Sequence, residues 1–242
     1  MISRMAEILG AFKYGERQMS ASEISRRTGI PKATVARIVN SMIDHGFLER
    51  RETGVQLGIK FFELGQQAAR PTDLRQFAYQ SMRDLVQATG QTVHLAVLDD
   101  LEVVYVQILR NNQSPALPSR VGGRLPAHAT GLGKALLAFE RPDLLAKLAS
   151  EPLKTLGPRT ITDFKTLDGQ FELIRQNRIA YEREESAAGI ACAAAPIMKN
   201  GRAVAAISIS VKIDALAVEK MGPAVSAVAR ALSRQSHRLL TT

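Results

Sequence analysis

The sequence predicts an α+β protein: an N-terminal winged helix-turn-helix, a linker helix, and a larger second domain built on an antiparallel sheet. Residues 19–54 read as two short helices joined by a tight glycine turn and followed by a small hairpin. From residue 72 onward, helical periods alternate with runs of strand alternation. No glycine-rich phosphate loop interrupts those strands, and the hairpin-like turn at Lys199 to Gly201 pairs two of them directly.

Each element has its own chemical reason. Ile2, Met5, Ile8, Leu9 and Phe12 recur at helical spacing, so residues 2–13 are expected to form a helix that packs under the next two. Ser20 and Glu23 have the spacing of a reciprocal capping box, and Ala21, Ile24 and the Thr28 methyl share one face. Gly29 suits the left-handed end of that helix, and Pro31 suits the first turn of the next. In the second helix Val35, Ile38, Val39 and Met42 form the buried stripe, leaving Lys32, Ala33, Thr34, Arg37 and Asn40 or Ser41 outward as contacts for phosphates and base edges. After His45 and Gly46, a strand begins at Phe47 and Leu48, Arg50 and Arg51 flank it, Thr53 and Gly54 turn, and Val55 and Leu57 alternate back. Arginines on such a wing lie along the backbone or in a minor groove of double-stranded operator DNA.

The domain boundaries are expected at 1–58 for the winged helix-turn-helix, 59–71 for the linker helix and 72–242 for the second domain. Pro71 is expected to stop the linker helix. Its Ile59, Phe61, Phe62 and Leu64 exceed what a solvated linker needs, which points to a homo-oligomer contact. Thr72 or Asp73 caps a helix that Gly90 ends near Thr89. Strands follow at Thr92 to Asp99 and Glu102 to Leu109, then a loop over 111–130 and a helix from Gly131 to Phe139. Pro142 starts another helix, Thr162 caps a longer one to Asn177, and strands come at 179–183, 190–198 and 203–211. Helices near 214–220 and 224–240 finish the chain, the latter with Val225, Val228, Leu232 and Leu239 on one face.

Composition narrows the class. The chain has 242 residues, 45% hydrophobic and 23% charged, a globular balance. The net charge of +9 divides as +4 over residues 1–70 and +5 over the rest, so basicity does not single out the helix-turn-helix and the motif carries the DNA reading. One cysteine, Cys192, excludes an internal disulfide framework and fits a reducing compartment. The first residues resemble neither a signal nor a transit peptide, and no run of 18 apolar residues occurs, so a soluble, cytoplasmic protein without a membrane partner is expected. No cofactor and no metal are expected.

Two segments of the second domain carry chemistry. Thr130-Gly131-Leu132-Gly133 opens a helix whose free amides suit a carboxylate, and Thr130 either caps that helix or turns its hydroxyl to a ligand. Cys192 lies in an apolar strand, while Ser208 and Ser210 share a face of the strand that a hairpin folds back beside it. Small residues at 191, 193–195, 205 and 206 leave room for a small molecule or serve tight helix packing. Glu182 to Glu185 read as an acidic loop, a solvated face or a pocket lining.

With these residues in view, GIPKATVARIVNSM with HGFL, GGRLPAHATGLGKALLAF, and YEREESAAGIACAAAPI followed by AAISIS resemble the IclR family of bacterial transcriptional regulators across nearly the whole chain. The resemblance implies a GAF-like effector-binding domain, a dimer or dimer of dimers, and a small-molecule effector, often an organic or aromatic acid. Carried over by motif, the effector-binding positions are Thr130, Gly131, Leu132, Glu182, Cys192, Ser208 and Ser210; related proteins have aspartate where Glu182 stands. Trp is absent and Phe and Tyr are few, which favours polar contacts to a small acid over ring stacking. Two other readings stay open here. The second domain could serve assembly alone, or Cys192 with His128 could act as nucleophile and base. His45, His94 and His237 show neither metal spacing nor a triad partner.

Overall fold

The computed structural model describes residues 1–67, 69–111, 117, 119–213 and 215–236, and their contacts divide the chain into two compact units, Met1–Thr72 and Asp73–Thr242. His237 and Leu239 lie outside the described residues.

In the first unit α1 (Ile2–Gly10), α2 (Ala21–Thr28) and α3 (Lys32–Asp44) precede a two-stranded wing, β1 (Leu48–Arg51) and β2 (Gly54–Leu57), and then α4 (Lys60–Gln67). The predicted stripe of α3, Val35, Ile38, Val39 and Met42, packs with Ile8, Ile24, Leu48 and Val55 into one core. Gly29 ends α2 at φ 71°, a conformation that costs a residue with a Cβ. The Ser20 hydroxyl accepts the Glu23 amide at 3.2 Å, but the other half of the expected capping box is not made. The Glu23 carboxylate turns instead to the Arg26 and Arg27 guanidiniums at 2.6 Å each, because a charged pair outcompetes a neutral amide. Pro31 sits at the N-cap of α3, one residue before its first turn. Met19 bridges Val55, so closely that a Cβ on Gly54 would lie 2.3 Å from the Met19 carbonyl oxygen.

α5 runs over Ala69–Thr89, so Pro71 does not stop a helix and the expected cap at Thr72 or Asp73 is not one. Proline in a first turn removes only an amide that has no intrahelical acceptor. The second unit has one antiparallel six-stranded sheet in the order β5-β4-β3-β8-β7-β6. Its strands are β3 (Thr92–Asp99), β4 (Glu102–Leu109), β5 (Arg124–Pro126), β6 (Ala180–Arg183), β7 (Ile190–Lys199) and β8 (Arg202–Lys212). The stretch expected as a loop over 111–130 therefore contains an edge strand and a 3-10 turn at Ala127–Ala129, while 112–116 and 118 lie outside the described residues. Asn200 at φ 50° and Gly201 at φ 80° form the tight turn that folds β8 onto β7.

Strand alternation sorts the side chains into two cores. Val93, Leu95, Ala193, Ile207 and Ile209 face α5 and α9 (Ala215–Arg234). Ala96, Tyr105, Cys192, Ala194 and Ala206 face α6 (Gly131–Leu137), α7 (Pro142–Ser150) and α8 (Phe164–Asn177). Asp163, not Thr162, caps α8, accepting the Thr166 amide at 2.8 Å. The two helices expected near 214–220 and 224–240 are one, with Pro223 inside it. Its buried face of Val218, Val225, Ala229 and Leu232 continues across the proline, and Gly222 lets the Tyr181 ring approach where a Cβ would stand 2.0 Å from the phenol oxygen.

Candidate functional site

On the first unit, Lys32, Ala33, Arg37, Asn40 and Ser41 are exposed along α3 and Thr34 is half-buried. The wing is tied to this face by Arg50 Nη2 donating to Asn40 Oδ1 at 2.7 Å. Asn40 thus spends its carbonyl on the wing and keeps its amide hydrogens. Arg51 donates to Glu49 at 2.7 Å, and Glu49 also accepts the Gln56 side chain and the Ile59 amide, so Arg51 is the more committed of the two wing arginines.

The second unit holds a cavity on the sheet face under α6. It is lined by His94, Tyr105, Leu117, Ser119, Leu125, Thr130, Gly131, Leu132, Glu182, Ser186, Ile190, Cys192, Ser208 and Ser210. All seven positions named from the sequence meet here. The register explains it: Glu182 pairs with Cys192, Cys192 with Ser210, and Ser208 with His94, so period-2 alternation puts them on one face across four strands. Gly131 enters close over them, where a Cβ would be 3.0 Å from the Cys192 sulfur.

Thr130 is spent as a cap, its hydroxyl accepting the Gly133 amide at 2.9 Å. The amides of Gly131 and Leu132 precede the first intrahelical bond and find no backbone acceptor among the described residues. The Ser208 hydroxyl is buried with no nitrogen or oxygen partner among the described residues, the Cys192 thiol being the polar group beside it. Ser210 and Ser119 meet the two ring nitrogens of His94 at 3.4 and 2.8 Å. Burial, helped by the nearby Arg110 charge, pushes His94 down to about 3, so its ring is neutral. The alanines at 191, 193–195, 205 and 206 pack between sheet and helices.

The acidic stretch is not a solvated loop. Glu182 is buried on β6, with Oε1 accepting the amides of Glu185 at 2.6 Å and Ser186 at 2.9 Å. Glu185 is buried as well, its carboxylate taking the Lys134 ammonium at 2.6 and 2.8 Å. Sequence reasoning missed Lys134, His94, Tyr105, Ser119 and Ser186. A lysine inside the apolar run GLGKALL is a signal that a buried partner exists, and His94 has the strand parity of the cavity face. The expectation against rings is also weakened, since His94 and Tyr105 stand edge to face at 5.4 Å in the lining.

The geometry does not pair Cys192 with His128. Burial and the neighbouring Glu182 charge push the Cys192 thiol up to about 12, against the hydroxyls of Ser208 and Ser210 beside it. His128 does not line the cavity, and its Nε2 donates to the Lys154 carbonyl at 3.0 Å.

Comparison with known proteins follows this division. Residues 1–52 match the model of the IclR helix-turn-helix domain, and residues 66–235 match that of the bacterial transcriptional regulator IclR C-terminal domain. The HTH-type transcriptional regulator XynR of Escherichia coli (strain K12) is 32% identical over 213 residues, covering 86% of this chain and 84% of that protein. A crystal structure of an IclR homologue from Microbacterium hydrocarbonoxydans, complexed with 4-hydroxybenzoate, superposes with a TM-score of 0.90 at 30% identity over 98% of each chain. The Thermotoga maritima IclR structure gives 0.77 at 28% identity over 97% of each.

Proposed function

Since the chain belongs to the IclR family of bacterial transcriptional regulators, we propose that a small organic or aromatic acid bound in the second unit controls its affinity for operator DNA. The observation that carries this is the set of unspent polar groups in one cavity: the Ser208 hydroxyl, the Gly131 and Leu132 amides, and the free Oε2 of Glu182. A buried hydroxyl left unpaired costs about 1–3 kcal/mol, a cost that a ligand oxygen removes. The 4-hydroxybenzoate complex of a structural neighbour supports the ligand class.

In this reading Thr130, Gly131, Leu132, Glu182, Cys192, Ser208 and Ser210 hold the effector. Lys32, Ala33, Thr34, Arg37, Asn40, Arg50 and Arg51 hold the DNA. Residues 1–58 read DNA, 59–71 link, and 72–242 sense and assemble a homodimer or dimer of dimers, with no catalytic step. Ligand binding reshapes the cavity wall and, through the linker, the spacing of two recognition helices relative to the half-sites.

Thermal-shift screening of small acids, 4-hydroxybenzoate included, tests the sensor, because a ligand of the native state raises the melting temperature by mass action. Mobility shifts on DNA flanking the gene, with and without each stabilising acid, test the coupling. An acid that stabilises the protein yet leaves DNA affinity unchanged breaks the control, and no shift with any acid leaves the second unit an assembly module.

A further inference from the structure

Glu182 is 1% exposed and lines the cavity. Oε1 accepts the Glu185 amide at 2.6 Å, the Ser186 amide at 2.9 Å and the Ser186 hydroxyl at 3.3 Å. Oε2 takes none of these bonds. The titratable groups packed around it are Glu185 from its own turn, Lys134 from α6, Tyr105 from β4, His94 from β3 and Cys192 from β7. Lys134 is the cation of this set, and it is fully engaged: its ammonium donates to both Glu185 oxygens and, at 2.8 Å, to Gln170. No lysine or arginine is among the described residues that line the cavity, and His94 is neutral.

An ionised Glu182 and an incoming carboxylate would therefore face each other in one buried chamber with no free cation between them. A single proton reverses the sign of that contact, since O–H···O⁻ is among the strongest hydrogen bonds a protein makes. Resting on the reading of this cavity as the effector site, we propose that it takes up a monocarboxylate together with one solvent proton, held on Glu182 Oε2 and donated to the guest's carboxylate oxygen. The buried charge is then the same before and after binding. Burial raises the Glu182 carboxyl to about 7 against the pull of its two amides, so the proton is accessible near neutrality.

Calorimetric titration of the full-length protein with 4-hydroxybenzoate and with 4-hydroxybenzamide, from about pH 5.5 to 8 in two buffers of different ionisation enthalpy, reads the proton directly. The acid is expected to take up about one proton per site near pH 8 and fewer below about pH 6, its affinity falling about tenfold per pH unit above 7. The amide is expected to bind with a flat profile and no uptake. In Glu182→Gln the acid's profile becomes flat, and should that variant fail to fold, the two-buffer measurement on the natural protein decides alone. Acid binding without proton uptake overturns the proposal, as does a slope that survives in Glu182→Gln, which would put the proton on the guest. Amide binding without acid binding overturns the proposal but keeps the sensor reading; binding of neither, with no thermal shift, removes both.

Discussion

Lys134 is wholly removed from solvent, and burial pulls its ammonium below the ordinary lysine value against the holding charge of Glu185. Removing one partner of such a pair strands the other. Lys134→Met is expected to destabilise the second unit by about 3–5 kcal/mol in urea denaturation, and adding Glu185→Leu should recover most of that loss, because two apolar side chains leave no uncompensated charge. If the double variant is as unstable as the single, the pair holds geometry and not merely charge. On the first unit, the tie between Arg50 and Asn40 makes a different prediction. Arg37→Ala should cost operator binding about 1–3 kcal/mol per lost base contact and spare non-specific DNA, whereas Arg50→Ala should weaken both. Equal losses on operator and random duplex for Arg37→Ala in a fluorescence anisotropy titration would remove Arg37 from base reading.

Elements, in contrast, are decided by whether a backbone can come close enough to its neighbour, and two helical glycines separate that demand from simple propensity. Gly133 lies in the first turn of α6, where a Cβ would stand 2.1 Å from the Ala127 carbonyl oxygen; Gly169 lies in α8 with nothing within 4 Å. Gly133→Ala is expected to lower stability by about 1–3 kcal/mol through forced backbone movement, and Gly169→Ala to raise it by about 1 kcal/mol through helix propensity alone. Thermal denaturation of the two variants checks both signs, and a stabilising Gly133→Ala would mean that the Thr130–Gly133 cap is loose. Legibility follows the same line. The helix-turn-helix, the strands from Thr92 to Leu109 and the hairpin at Asn200 could be read because each has a period or a turn residue of its own. The strand Arg124–Pro126 could not, since three residues carry no period and exist as a strand only by pairing with Glu102 to Val104. The continuous helix through Pro223 was equally hidden, because the packing that carries it across the proline comes from the sheet. The cavity face was legible at Cys192, Ser208 and Ser210 through parity. The Lys134–Glu185 pair was not, since its partners lie 51 positions apart and only the folded chain brings them together.

At the scale of the whole molecule, Glu182 and His94, two of the buried titratable groups of the cavity, oppose each other in their effect on stability. Glu182 is raised from 4.5 to about 7, so the folded state holds its proton more tightly than the unfolded chain; its contribution is complete below about 4.5 and is lost as pH rises through 7. His94 is depressed from 6.5 to about 3, so its contribution is complete above about 6.5 and is lost as pH falls through 3. Between about pH 4.5 and 6.5 the two slopes have opposite signs and similar size, on the order of 2–3 kcal/mol each. The natural protein should therefore show a nearly level stability across that interval, Glu182→Gln a stability that rises with pH, and His94→Gln one that falls. Urea denaturation at several pH values, followed by a probe of the second unit, gives all three profiles on one axis. Parallel profiles for the natural protein and Glu182→Gln would mean that Glu182 titrates as an ordinary surface carboxylate, which its two amide bonds and its burial against Cys192 argue against.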